Sequence, residues 1–227
     1  AEEEEIKERE DMYKVAIFDL DGTLTDTLES MAVAGNKTLE YVGLEPRDIN
    51  EYKYFAGDGA DTLVRRFLMA AGDKDCDKFD EAFEAYMKRF ATDCTYNVKL
   101  YEGIKDTIIG LKEKGIKLAV LSNKPHLNAV KVIETFFEEN TFDIVMGHKE
   151  GVNKKPDSEG ALLITKELGV NPKECIYVGD TDVDMKTGKG AGMYTVGVLW
   201  GFREEDELKQ NGADIIIDNP KKLLELV

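Results

Sequence analysis

The sequence predicts an α/β fold: a doubly wound, mostly parallel sheet with a small α-helical unit inserted after its first strand. Three observations lead there. Beyond Tyr101, short apolar runs of strand length alternate with segments of helical spacing, the order that builds a parallel sheet with helices on both faces. Between Leu28 and about Asp93 no strand-like runs occur, and apolar residues recur at helical intervals instead. The polar residues best suited to chemistry stand directly behind the apolar runs, and open α/β sheets hold their ligands beyond the carboxyl ends of the strands.

Residues 1–11 (AEEEEIKERED) carry seven acids and two bases, with Ile6 as the one strong apolar residue. They cannot bury a face. They read as an acidic leader, a frayed helix or an expression remnant ahead of a native start at Met12, and are set apart from the fold. The first strand is Val15-Ala16-Ile17-Phe18, a buried type, closed by Asp19-Leu20-Asp21-Gly22-Thr23. Helical spacing then takes over in three groups: Met31, Ala34, Leu39 and Val42; Leu63, Val64, Phe67 and Leu68; Phe79, Phe83, Tyr86, Met87 and Phe90. Breaks at 43–48, 57–59 and 72–77 divide the stretch into roughly four helices. Strands are expected over 117–121, 142–146, 175–178, 194–198 and 214–217, and helices over 104–114, 125–137, 158–168, 183–190 and 204–210. Pro125 suits a first helical turn, and Gly115 and Gly169 suit helix C-termini.

Length and composition bound the function. The 227 residues suit one large domain, or a core with a smaller second unit. Apolar runs are too short to span a membrane, and no secretory pattern opens the chain. Cys76, Cys94 and Cys175 are odd in number and lack a CxxC spacing, which favours a reducing compartment such as the cytoplasm over a disulfide framework or a zinc site. A net charge of −16 disfavours nucleic acid and anionic membranes as partners. An acidic protein that handles an anion must supply positive charge locally, from a metal, a few basic side chains or helix N-termini.

Four motifs could do so. Asp19 and Asp21, at i and i+2 behind a strand, can point into one small volume, where two anions need a cation or a proton. Gly22 permits a sharp turn, and Thr23 offers a hydroxyl and an amide. Ser122-Asn123-Lys124-Pro125 closes another run and can cradle phosphate at a helix start, or simply cap that helix. In Lys154-Lys155-Pro156-Asp157, the proline holds Lys155 extended so that its ammonium can reach the strand ends, unless the pair is only a solvated basic face. Gly179-Asp180-Thr181-Asp182-Val183-Asp184 places Asp184 one helical turn beyond Asp180. Carboxylate oxygens there suit Mg²⁺, and Asp182 reads as helix capping. An EF-hand loop is excluded, because Met185 and Ala191 stand where glycine and glutamate are required.

Together, DxDGT, SN, K-P and GDxxxD resemble the four motifs of the haloacid dehalogenase superfamily, over nearly the whole chain. The closer segments DLDGTLTDT, LSNKP, GVLWGF, GADIIIDNP and the cap segment GDGADTL are similar to those of phosphoglycolate phosphatases. Leu100-Tyr101-Glu102-Gly103 departs from that pattern by lacking its proline, which bears on hinge stiffness. The resemblance implies a catalytic core of residues 12–27 and 95–227 and a mobile helical cap of residues 28–94. It implies Mg²⁺-dependent hydrolysis of a small phosphorylated metabolite by a monomer or homodimer. Asp19 would be the nucleophile and Asp21 the acid and base. Mg²⁺ would sit on Asp19, the Asp21 carbonyl and Asp180, with Asp184 on the ion or one hydrogen bond behind it. Ser122, Lys155 and amides near Gly22, Thr23 and Asn123 would hold phosphoryl oxygens. For a substrate carboxylate, the amides of Gly57 and Gly59 and the side chain of Arg65, Arg66 or Lys53 are candidates.

Other readings remain at this point. A β-phosphoglucomutase-like enzyme would use the same aspartates, and other family phosphatases act on other small phosphates or pyrophosphate. A phosphonatase would need a cap lysine such as Lys37 or Lys53. A dehalogenase has no use for Asp21, and a dead interaction protein no need for so much clustered charge. No GxxxxGK[ST] or GxGxxG sequence supports a nucleotide reading.

Overall fold

In a computed structural model, residues 13–227 are described; the leader expectation for residues 1–11 lies outside them. The sheet is six-stranded and wholly parallel. Its strands are β1 (Val15–Phe18), β4 (Lys117–Pro125), β5 (Ile144–His148), β6 (Cys175–Gly179), β7 (Tyr194–Val198) and β8 (Ile215–Ile217), in the order β5-β4-β1-β6-β7-β8. β1 lies between β4 and β6, with Val15 opposite both Lys117 and Cys175.

The strands read as continuous apolar runs because both faces are covered. Alternate residues separate cleanly. Ala16, Phe18, Leu118, Val120, Ile176 and Val178 pack on one side with helices α5 (Ile104–Glu113) and α6 (His126–Phe136). Val15, Ile17, Ala119, Leu121, Cys175 and Tyr177 pack on the other with α7 (Glu159–Leu168) and α8 (Asp182–Ala191). A further helix, α9 (Glu205–Gln210), follows β7. The register brings the ends of β1, β4 and β6 side by side, so Asp19, the Ser122 segment and Asp180 meet at one edge of the sheet.

Two expectations shift. Pro125 is not in a first helical turn: it ends β4, pairs with His148, and has φ −49° and ψ 135°. The 122–125 segment continues the extended run, and a proline lacking N–H is tolerated at that strand end. β5 begins at Ile144 rather than 142 because the Asp143 carboxylate is turned onto the amide of Leu118 at 2.8 Å.

Between β1 and β4 the chain forms helices α1 (Leu28–Tyr41), α2 (Tyr52–Phe55), α3 (Ala60–Ala70) and α4 (Phe79–Asp93). Their inward residues, among them Leu39, Tyr52, Val64, Phe67 and Tyr86, make an apolar cluster separate from the two on the sheet. Each such side chain contributes about 1.5–3 kcal/mol by burial. Asn36, in a glycosylation-like Asn36-Lys37-Thr38 sequence, uses its amide internally on Arg47 and accepts from Tyr52 Oη at 2.9 Å. The two crossings between sheet and helices, β2 (Thr25–Asp26) and β3 (Lys99–Leu100), pair antiparallel with Thr25 opposite Leu100.

Candidate active site

Asp19 leaves β1 with its amide donating to the Val178 carbonyl at 2.9 Å, which fixes it beside β6. Its Oδ1 meets Lys155 Nζ at 2.8 Å, and the same ammonium meets Asp184 Oδ1 at 2.7 Å. The other Asp184 oxygen accepts from the Thr181 hydroxyl at 2.8 Å and the Thr181 amide at 3.0 Å, because Asp184 closes a capping box at the start of α8. Asp180 is fully buried. Its Oδ1 accepts from the Thr23 hydroxyl at 2.9 Å, and its Oδ2 from the Phe202 amide at 2.8 Å.

Carboxylate oxygens of Asp19, Asp180 and Asp184 lie within 4.8 Å of one another. Burial pushes the Asp19 carboxyl up to about 7; Lys155 pulls it down, while Asp184 and Asp21 add to the rise. Burial, then Asp184 and Asp19, hold Asp180 well above the usual carboxylate range. Burial works against the Lys155 charge, but Asp184 and Asp19 outweigh it and hold the ammonium well above its ordinary value. Three buried carboxylates with one ammonium leave an excess of negative charge and an all-oxygen donor set. That set fits a hard divalent cation.

Three glycines wall this centre. A Cβ on Gly22, at φ +88°, would lie 2.3 Å from Asp180 Oδ2; on Gly179, 2.2 Å from Asp184 Cβ; on Gly201, 2.3 Å from Asp180 Cβ. The acidic side chains occupy the space that side chains would take.

Asp21 faces elsewhere. Its carboxylate receives Lys124 Nζ at 2.8 and 2.9 Å, outside the acidic cluster. Asp19, Asp21, Ser122, Asn123 and Lys124 line one cavity, and Gly57, Gly59, Tyr86 and Phe90 line it from the helices. Ser122 is buried, with Oγ accepting from the Lys124 amide at 3.2 Å.

Several expectations change. Thr23 does not face the cavity: its hydroxyl holds Asp180, and its carbonyl accepts from Trp200 Nε1 at 2.9 Å. The Gly22 amide is spent on the Thr25 carbonyl at 2.9 Å. The Asn123 side chain is a clamp: Nδ2 donates to the carbonyls of Gly57 at 3.0 Å and Lys155 at 2.9 Å, and Oδ1 accepts from the Lys155 amide at 2.9 Å. It sets Lys155 in place, a side-chain role beyond the amide contact expected near Asn123. Arg65 is exposed and stacks 3.6 Å over the Phe79 ring, off the cavity. Arg66 is paired with Asp58 at 2.6 Å, and Lys53 contributes a carbonyl to Arg203.

Sequence reasoning missed Lys124 and Phe202. The lysine was visible within Ser122-Asn123-Lys124-Pro125, and a lysine between a strand end and a proline is a signal in its own right. An amide donor such as that of Phe202 leaves no trace in residue type. Chemically, the site offers a buried carboxylate beside an ammonium, a second carboxylate across a cavity, and a place for a cation.

Residues 16–198 match the family model of the haloacid dehalogenase-like hydrolases. The chain is 34% identical over 215 residues to a phosphoglycolate phosphatase of Aquifex aeolicus (strain VF5), covering 94% of this chain and 96% of that one. It is 29% identical over 214 residues to a phosphoglycolate phosphatase of Pseudomonas putida (strain KT2440), covering 93% and 78%. A crystal structure of a predicted phosphoglycolate phosphatase from Haemophilus somnus 129PT superposes with a TM-score of 0.88 at 27% identity, covering 94% and 97%.

Proposed function

The chain belongs to the haloacid dehalogenase-like hydrolases and is a phosphatase, and from that premise we propose that it hydrolyses 2-phosphoglycolate to glycolate and phosphate. The relatives that bear the name phosphoglycolate phosphatase support this substrate. One observation carries the mechanism: the two motif aspartates have different partners. Asp19 is tied to Lys155 within the acidic cluster, and Asp21 stands across the cavity on Lys124.

Asp19 attacks phosphorus, the bond from phosphorus to the bridging oxygen breaks, and an aspartyl-phosphate forms on Asp19. Asp21 gives its proton to the departing alkoxide. It then takes one from the water that attacks the acyl phosphate, and Asp19 and phosphate are released. Lys155 offsets charge on the nucleophile and the phosphoryl group, and the Ser122 hydroxyl holds a phosphoryl oxygen. Asp19, Asp180 and Asp184, with the Asp21 main-chain carbonyl, are the residues that would hold Mg²⁺. When bound, the ion offsets repulsion between the two anions and stabilises charge on phosphoryl oxygens. Residues 28–94 act as the cap over this core and exclude water from it. Three unpaired cysteines suit a cytoplasmic enzyme, and among the described residues no helix is long and apolar enough to cross a membrane.

The test is phosphate release from small phosphomonoesters, with and without Mg²⁺, on the parent and on Asp19→Asn. The expected result is a preference for 2-phosphoglycolate that needs Mg²⁺ and is abolished in the variant. Substantial Mg²⁺-dependent turnover by Asp19→Asn overturns the nucleophile. Isomer interconversion of a phosphosugar with little phosphate released overturns hydrolysis in favour of a mutase.

A further inference from the structure

The cavity holds an unassigned cation. Among the described residues that line it, Lys124 is the only basic one, and its side chain is 1% exposed. The ammonium touches both oxygens of Asp21 and lies 4.7 Å from the centre of the Phe90 ring. Tyr86, Leu63 and Met31 complete an apolar wall, where an ionic contact is weakly screened.

In this arrangement both Asp21 oxygens hold the ammonium, which keeps the carboxylate turned toward Lys124. A substrate that replaces Asp21 as partner of the ammonium would free it. The geometry limits where that second anion can sit. Asp21 must reach the bridging oxygen, and Lys124 is in direct contact with Asp21, so the anion must lie within a couple of bonds of the bridging oxygen. A carboxylate carried on the adjacent carbon meets this condition, and the far phosphate of a sugar bisphosphate does not. Arg65 and Arg66, the arginines considered for this role in the helical block, are engaged elsewhere.

We propose that Lys124 is the specificity-determining residue: it binds the substrate carboxylate and, in doing so, releases Asp21 for proton transfer. This rests on the phosphoglycolate reading. It explains selectivity by a double penalty on simple phosphomonoesters, which offer Lys124 no anion and leave Asp21 engaged.

The experiment compares 2-phosphoglycolate with ethyl phosphate, its carboxylate-free analogue, on the parent, Lys124→Met and Lys124→Arg, with melting temperatures recorded. In Lys124→Met, kcat/KM for 2-phosphoglycolate is expected to fall by about 100-fold or more, while that for ethyl phosphate rises, because no ammonium then holds Asp21. Lys124→Arg keeps part of the preference. Equal losses on both substrates overturn the proposal, because a lysine that only orders Asp21 or the fold does not distinguish them. If the methionine variant does not fold, 2-phosphoglycolamide with the parent decides: turnover matching that of 2-phosphoglycolate overturns the proposal, and a loss of about 100-fold supports it. A parent without preference for 2-phosphoglycolate refutes the substrate reading itself. A preference retained by Lys124→Met refutes only the role of Lys124.

Discussion

Gly201→Ala isolates the geometry of the acidic centre, because it adds one carbon and removes no functional group. Gly201 does not have a left-handed backbone, so the perturbation is steric alone. The new Cβ would stand 2.3 Å from Asp180 Cβ, 2.4 Å from the Gly22 carbonyl oxygen and 2.5 Å from Asp180 Oδ2. Carbon atoms settle at about 3.5–4.0 Å, so relief requires a displacement of about 1 Å or more. Asp180 has little room to yield, being held by the Thr23 hydroxyl and the Phe202 amide. Overpacking of this kind costs about 1–3 kcal/mol of stability. An ångström of misplacement at a reacting centre costs about 100-fold in rate. The assays are urea denaturation and kcat/KM as a function of Mg²⁺ concentration. Loss of activity with weakened Mg²⁺ dependence is expected. The control is Gly115→Ala, at φ +79° with no atom within 4 Å of the added carbon. It should cost about 1–2 kcal/mol of backbone strain and leave kinetics alone. A Gly201→Ala enzyme with parental kcat/KM at every Mg²⁺ concentration refutes the reasoning, since Asp180 would then tolerate displacement without consequence.

Thr23→Val removes one donor from the buried Asp180 carboxylate and should lower stability by about 1.5–3 kcal/mol; Thr23→Ser should restore most of it, and a valine variant with parental stability and Mg²⁺ affinity contradicts the assignment. In metal-free protein the Asp19 carboxyl, raised to about 7 from 3.8, holds its proton more tightly folded than unfolded. Stability is therefore lost as pH climbs from about 4 to about 7, by as much as about 4 kcal/mol. Asp180 acts in the same direction, whereas the lowered carboxyls of Asp61 and Asp214 exert their effect below pH 4. Equal melting temperatures at pH 5 and pH 8 in chelator would count against this, as would an Asp19→Asn protein that keeps the full slope. Arg203→Ala removes hydrogen bonds to the carbonyls of Lys53 and Ala56. It should cost about 2–3 kcal/mol and speed proteolysis within residues 52–59, and an unchanged cleavage rate there would refute the contact's importance.

Much of the sheet was legible because its strands are buried on both faces. Val15–Phe18 and Cys175–Gly179 bury every residue, so each appears as an uninterrupted apolar run whose end marks a polar site. Asp19, Asp180 and Asp184 follow from that rule, and Lys155 does so with the proline that sets its neighbour. β2 and β3 escaped because two-residue strands carry no periodicity. Arg65 was misjudged because helical spacing places a residue on a face without saying what that face meets, and here it meets Phe79. The side chains of Thr23 and Asn123 bond to Asp180 and Lys155, contacts that the sequence does not announce. Residue type reports what a side chain can donate, and only the packed structure decides to whom.

The contacts that join helices to sheet also hold the catalytic groups, and this ties closure to chemistry. Phe202 donates its amide to Asp180 while its ring is buried in the helical cluster. The next residue, Arg203, reaches the carbonyls of Lys53 and Ala56 at the end of α2 and stacks on Tyr54. On the other side, Asn123 joins the Gly57 carbonyl to both main-chain groups of Lys155. Helices that swing away must either draw Phe202 off Asp180 or leave its ring exposed, and must break the Asn123 bond to Gly57. The buried Asp180 side chain would then lose one of its two donors. Closure and organisation of the acidic centre are therefore favoured by the same bonds. On the proposal that residues 28–94 cap the core, opening would admit substrate to a less ordered centre, and closure would complete that centre as it excludes water.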